Sequence, residues 1–372
     1  MKITKIETFD IRVPLERVST DAVNLTDSWG FATIRIHTDE GIVGTGYTGV
    51  ARGLGNDLVL ATISNHFDTI LLGADPLDRD TMWKKLYWSP VHWVGRAGVT
   101  HMALAAVDIA LWDIYAQLQG LPLCDLLGGS DASSFPTYNT NGGWLSFSLK
   151  ELIDNAKATI NDGFTGVKIK LGLPDGVDDI RRVEAVRGAL GPGIDLMVDV
   201  NQAWTLDHAL RWGKELAQFG VKWLEEPMAP DDWMSHAELA AAIETPIALG
   251  EHVYSEGAFS DFLRAGAVHF VQPDVTRVAG VTEFARVATL ASDAGLPVCP
   301  HAGDMMQVHQ HLIFTTPAAH VFEHIPWGRE LFVEPASIVD GALVRPRSPG
   351  AGTAMKDDVV EKYLVGPVVT RS

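Results

Sequence analysis

The first fifty residues alternate between apolar and polar side chains, the period of a half-buried strand, over Ile3–Val13, Phe31–His37 and Gly41–Thr48. Asp39-Glu40-Gly41 marks a hairpin turn between the last two. The polar stretch Val18–Ser28 reads as a long loop, and so does Thr48–Asn56 with its three glycines. From Asp57 the apolar spacing shifts to three and four, predicting helices over Leu58–Leu72, Asp78–Leu86 and Thr100–Gln119, with Gly120 as a stop. Strands followed by a block of helices predict an α+β domain over residues 1–128, ending at Leu127-Gly128-Gly129-Ser130.

Beyond Ser130 short apolar runs and helical stretches take turns. The runs are Phe135–Asn139, Val167–Leu171, Leu196–Val200, Lys222–Glu226, Ile247–Gly250, His269–Pro273, Val298–His301 and Val321–His324. Between them Leu149–Asp162, Val177–Leu190, Thr205–Phe219 and Val281–Ala294 carry the helical period. Eight strands with intervening helices predict an α/β fold, a modified TIM barrel of (β/α)7β type over residues 129–336, whose functional residues gather at the C-terminal strand ends. Residues 337–372 return to strand-like alternation and are expected to pack back on the first domain.

Three of the runs carry an acid within one residue of their end, Asp199, Glu225 and Glu251, each 26 residues from the next. That interval is one strand–helix unit, so closure of the barrel brings all three to one rim. Any one alone reads as a solvated loop residue. Three at equal spacing, each closing a buried run, do not. Converging carboxylates repel unless a cation lies between them, and hard oxygen ligands given one per strand suit Mg²⁺.

Lys168 and Lys170 are two apart on a strand and point to one face, the barrel interior. Burying the two ammonium groups together should depress a lysine pKa and allow one to act as a base near neutral pH. His301 ends the seventh run and Asp274 the sixth, 27 residues earlier, where the carboxylate would fix the imidazole tautomer. Glu323 ends the eighth, and burial would let it donate a hydrogen bond as a protonated acid. His309 and His311 lie in a helical stretch where two-apart positions diverge, so they are not co-ligands. The Gly49–Gly55 segment lacks the Lys-Ser/Thr of a phosphate loop. Trp29, Arg52, Trp144 and Asn201 are candidate substrate contacts. For Arg52, as for His92 and Arg96, a surface or interdomain partner is an equal alternative.

A formal charge of −18 argues against nucleic acid or an anionic membrane surface as partner. It also means that an anionic substrate must be held by local positive charge. Two cysteines, Cys124 and Cys299, make no disulfide framework and predict a reducing, cytoplasmic setting. The N-terminus lacks the apolar core of a signal peptide, and the apolar stretch Met102–Trp112, with Asp108 inside it, reads as too short to cross a bilayer.

Lys168-Ile-Lys170, Asp199-Val-Asn201, Glu225-Glu-Pro227, Gly250-Glu251 and the Asp274…His301 pair together resemble the enolase superfamily, within it the mandelate racemase-like subgroup. The resemblance covers nearly the whole chain. It implies that Asp199, Glu225 and Glu251 hold Mg²⁺, that Lys170 and His301 are acid/base groups on opposite faces of the substrate, and that Lys168 and Asp274 support them. Glu323 would hydrogen-bond an enolate. The segments Gly142–Leu145, Gln272–Arg277 and Cys299–Gly303 are similar to acid-sugar dehydratases acting on aldonates or aldarates, and the resemblance also implies a homo-oligomer. The expected reaction removes the C2 proton of a metal-chelated sugar acid and expels the 3-hydroxyl, giving a 2-keto-3-deoxy acid. The same residues suit a racemase, an epimerase or a cycloisomerase. A catalytically silent barrel would have no use for the full set. A zinc hydrolase is disfavoured because no His-x-His ends the first barrel strand.

Overall fold

A computed structural model describes all 372 residues. The cap opens with three long antiparallel strands, β1 (Ile3–Thr20), β2 (Leu25–Thr38) and β3 (Val43–Ala51). Pairing of β1 with β2 continues, past an irregularity, to Thr20↔Leu25. Val18–Ser28 is therefore the tip of a hairpin arm and not the loop expected. The arm lacks strict alternation because it runs beyond the cap's own core, leaving Val18, Val23 and Leu25 exposed, and it meets the barrel through polar groups. Arg17 pairs with Glu151 at 2.9 Å, and the Leu145 amide donates to the Thr20 carbonyl at 2.8 Å. Asp21 turns the tip by accepting from the amides of Val23 and Asn24. β3 likewise takes Thr48–Ala51 out of the second expected loop.

The helices follow: Asn56–Thr62, continued through a π turn to Leu71, then Arg79–Tyr87 and Val99–Gln119. The last has 21 residues and by length and composition could cross a membrane, which corrects the shorter stretch read from the sequence. Instead, 78% of its most apolar window is buried inside the protein. It is apolar on every side because both sides are packed. Ala103, Ala106 and Ala110 belong to the cap core, and Ile109 and Ala116 to the barrel core. Asp108 ties the helix to the barrel, accepting from the Thr282 amide at 2.9 Å and hydroxyl at 2.7 Å. β3 approaches this helix so closely that a Cβ at Gly46 would lie 1.9 Å from the Ala106 carbonyl oxygen.

The barrel strands β4 (Ser134–Asn139), β5 (Gly166–Lys170), β6 (Asp195–Asp199), β7 (Leu224–Glu225), β8 (Ile247–Leu249) and β9 (Phe270–Val271) pair in parallel in that order. The seventh run makes only single bridges, from Val298 to Val271 and to Ala319. Pro297 precedes it and Pro300 lies within it, and neither supplies a ladder donor. β10 (Phe322–His324) closes the circle on β4. The strands are nearly all buried, as expected for a parallel sheet covered by helices.

After the barrel the chain does two things. β11 (Ile338–Val339) and β12 (Ala342–Val344) form a hairpin on β4, so this part of the tail lies on the barrel and not on the cap. β13 (Leu364–Arg371) then crosses to the cap and pairs with β1 over Ile6–Ile11.

Candidate active site

The parallel register delivers the charged residues side by side. Lys170 sits beside Asp199, and Asp199 beside Glu225, on three successive strands. Glu251 follows two residues after β8. Asp199, Glu225 and Glu251 are all buried, and one oxygen from each lies within 4.8 Å of the others. At that separation two carboxylates repel by about 3 kcal/mol at an effective dielectric of about 20.

Lysines and a histidine meet this charge. Lys168 Nζ is 2.5 Å from Glu225, 2.7 Å from Glu323 and 3.7 Å from Asp199, and Lys170 Nζ is 2.5 Å from Asp199. The depressed lysine pKa expected from the sequence is not found. Burial pulls both ammonium groups down, but the carboxylates around them outweigh it, and both end above the usual lysine value. Glu225 moves the other way. Burial, with Asp199 and Glu323 nearby, raises its carboxyl to about 8 in spite of Lys168.

The donor set fits a hard divalent cation. Glu225 Oε2 is held by Trp223 Nε1 and Gln272 Nε2, both at 2.8 Å, and Asp199 Oδ1 by the Asn201 amide at 2.9 Å. Each of these carboxylates thus has one oxygen fixed by neutral donors, while the other faces the lysines. Three oxygens from three strands, one anchored oxygen apiece behind two of them, match the ligand chemistry of Mg²⁺.

Across the rim, His301 Nδ1 lies 2.9 Å from Asp274 and Nε2 3.1 Å from Glu251. Burial disfavours the imidazolium, yet Glu251 and Asp274 hold it well above the ordinary histidine value. Asp274 Oδ1 is itself fixed by the Thr276 amide and hydroxyl. Glu323 differs from the protonated donor expected. Burial raises its carboxyl, but Lys168 and His301 bring it down to about 2, and the Thr140 hydroxyl and Ala302 amide each donate to it at 2.6 Å.

These groups open into a cavity of about 500 Å³ between barrel mouth and cap, lined by Lys168, Lys170, Asn201, Glu251, His301 and Glu323 among others. Two further clefts, of about 570 and 700 Å³, contain neither the triad nor the lysine pair. Trp29 and Trp144 line the cavity, as expected, and Trp327 joins them, stacked on Trp144 at 4.8 Å and 5.8 Å from Trp29. Lys170 Nζ lies 5.1 Å from the Trp144 ring centre. Arg52 is not part of the site. It sits in a left-handed turn (φ 58°) after β3 with its side chain exposed, and Val50, Ala51 and Leu54 line the cavity instead. His92 and Arg96 do not line it either. His309 and His311 part company: His309 accepts from the Val275 amide and His311 from the Cys124 amide.

Asn201, named from the sequence, lines the cavity, but several of its neighbours carry no signal that alternation along a strand could give. Asn201 (φ 45°), Gln202 (φ 67°), Glu226 (φ 40°) and Ala302 (φ 52°) leave the strand ends in left-handed conformations, a strain of roughly 1–3 kcal/mol each that turns side chains off the expected face. Gln202 Nε2 donates to Glu226 and lies 2.7 Å from His252 Nδ1, which is 2.9 Å from Glu226. The doubled Glu225-Glu226 and the His252 directly after Glu251 were the available clues. Arg277 and Asp21 also line the cavity.

Residues 5–128 match the mandelate racemase/muconate lactonizing enzyme N-terminal domain, and residues 151–359 the enolase C-terminal domain-like family. An L-talarate/galactarate dehydratase of Salmonella typhimurium is 38% identical over 87% of this chain and 79% of its own. A 3,6-anhydro-alpha-L-galactonate cycloisomerase of Streptomyces coelicolor is 32% identical over 98% of this chain and all of its own. The crystal structure of an L-talarate dehydratase from Polaromonas, complexed with Mg and L-glucarate, superposes with a TM-score of 0.89 at 35% identity, covering 100% of this chain and 99% of that one. By both of its domains, the chain is a member of the mandelate racemase/muconate lactonizing enzyme family of the enolase superfamily.

Proposed function

We propose that this protein dehydrates a sugar acid to a 2-keto-3-deoxy acid, with Mg²⁺ held by Asp199, Glu225 and Glu251. What carries the reading is the meeting of Lys170 and His301 in one cavity, each in contact with a member of that triad. The relatives named as talarate and galactarate dehydratases, one of them complexed with Mg and L-glucarate, support it. Bound there, the cation supplies positive charge against the enolate oxygens that form when an α-proton leaves.

The side chains do the rest. Lys168, clamped between Glu225 and Glu323, keeps a fixed positive charge beside the triad, and that charge disfavours the protonated form of Lys170. One of Lys170 and His301, in its deprotonated form, takes the C2 proton, and the other, protonated, delivers a proton to the departing 3-hydroxyl. Asp274 holds the His301 tautomer with Nε2 toward the cavity. Glu323, a carboxylate here, positions Lys168 and the Ala302 amide. Trp29, Trp144 and Trp327 close the wall against water. Incubating the enzyme and Mg²⁺ with a panel of aldonates and aldarates, and trapping keto acids as semicarbazones, tests the reading. A 2-keto-3-deoxy product from at least one acid is expected, and none from any would refute dehydration.

The full-length match to a cycloisomerase favours one second reading, in which the same pair moves protons while an intramolecular ring bond opens in place of water loss. Mass spectrometry separates the two: opening of an anhydro acid gives a keto acid of unchanged mass, whereas dehydration of an open-chain acid gives one lighter by a water.

A further inference from the structure

Five basic side chains line the catalytic cavity, and four of them are answered by carboxylates of the protein. Lys168 pairs with Glu225 and Glu323, Lys170 with Asp199, His252 with Glu226, and His301 with Glu251 and Asp274. Arg277 is the exception. It is only 7% exposed, forms no ion pair, and has a buried Nε without a hydrogen-bond partner. Nη2 reaches the Gly49 carbonyl at 3.3 Å, and the Tyr254 phenol lies beside the guanidinium. Asp274 and Glu251 favour its charge from beyond ion-pair distance, but neither carboxylate meets the guanidinium directly, and its planar fork matches one that would.

Its place in the fold says which carboxylate. Arg277 follows β9 and touches cap strand β3, whereas the triad sits on and after β6, β7 and β8. A linear sugar acid anchored by its first carboxylate at the triad therefore extends its far end toward the cap side of the cavity, where Arg277 waits unpaired. We propose that Arg277 binds a second carboxylate at the far end of the substrate, so that the substrate is a diacid, an aldarate, and not an aldonate. The inference rests on the sugar-acid reading above and adds to it the residue that selects between the two classes.

Pairs of acids with matched configuration test it: galactarate with galactonate, and glucarate with gluconate. For the pair the enzyme handles better, the unsubstituted protein should favour the diacid by at least about a hundredfold in kcat/KM. Arg277→Gln should lose about a hundredfold on the diacid, mainly through KM, while its rate on the monoacid stays within about threefold. Arg277→Lys, which keeps the charge but not the fork, should fall between them and stands in if the glutamine variant does not fold. Equal losses on both acids would mark Arg277 as a structural tie between barrel and cap and overturn the proposal, as would an unsubstituted enzyme without preference. Calorimetric titration with the same pairs in Mg²⁺ buffer, in a Lys170→Met background, reads affinity without turnover. If no acid of either class is dehydrated, the proposed reaction falls, and a diacid preference that Arg277→Gln abolishes in the titration still upholds this role. Its absence there overturns the role independently.

Discussion

At the scale of single residues, the site is governed by which carboxylate each base answers. Asp274 holds His301 through Nδ1, and the Thr276 amide and hydroxyl hold Asp274. An amide at 274 keeps the shape but supports the wrong imidazole tautomer. Asp274→Asn should therefore lower kcat about a thousandfold while KM changes less than about threefold in steady-state assays. Unchanged kcat would remove His301 from the proton-transfer pair. The lysine pair, the acid triad and the Asp274–His301 pair were legible because each lies where a strand's inward face meets the rim, so spacing alone locates it. Arg277, His252 and Gln202 were not, because they follow the strand ends, where left-handed backbone or a loop decides direction. Glu323 was found, but its ionisation was misjudged: burial was visible in the sequence, whereas the proximity of Lys168 across the barrel was not.

At the scale of elements, the helix His309–Thr315 shows how burial couples to pH. His311 is buried and neutral, and burial lowers its pKa from the ordinary 6.5 to about 3. A histidine depressed in the folded state contributes stability that is complete above about pH 6.5 and is lost as pH falls from there toward 3. Asp108, raised by burial to about 7, and Asp113, raised to about 6, act in the opposite sense, since protonation on acidification relieves them. The difference between proteins isolates the histidine. In urea unfolding between pH 7 and 4, His311→Gln should lose less stability than the unsubstituted chain, whatever its stability at pH 7. A parallel pH dependence would mean that His311 is not neutral in the fold. Elsewhere the elements tell which were readable. Short buried barrel runs carried their apolar signature, but the hairpin arm at Val18–Ser28 did not, because an arm that leaves its own sheet's core has no buried face to enforce alternation, and its Val18, Val23 and Leu25 are exposed.

At the scale of the whole molecule, cap and barrel share the helix Val99–Gln119 and close over one cavity that concentrates buried charge. A cation that binds the folded triad and not the unfolded chain stabilises the fold by mass action, by about 2.7 kcal/mol at a hundred times its dissociation constant. Thermal unfolding should therefore shift upward by several degrees with Mg²⁺ and return with EDTA, and Asp199→Ala should abolish the shift. A shift that survives that substitution would place the ion elsewhere. The βα order and the equal acid spacing made the barrel readable from end to end. The hairpin that the tail lays on β4 was not readable, because strand alternation names no partner.

The pairing of β13 with β1 sets an order of events during synthesis. The edge of β1 that β13 covers leaves the ribosome about 350 residues before its partner does. At roughly 10 residues per second it stays unprotected for on the order of half a minute, while the barrel is still being made. Translation delays, or release factors acting early, would thus leave a nearly whole polypeptide with a naked sheet margin, and that margin is where misassembly between nascent chains should begin.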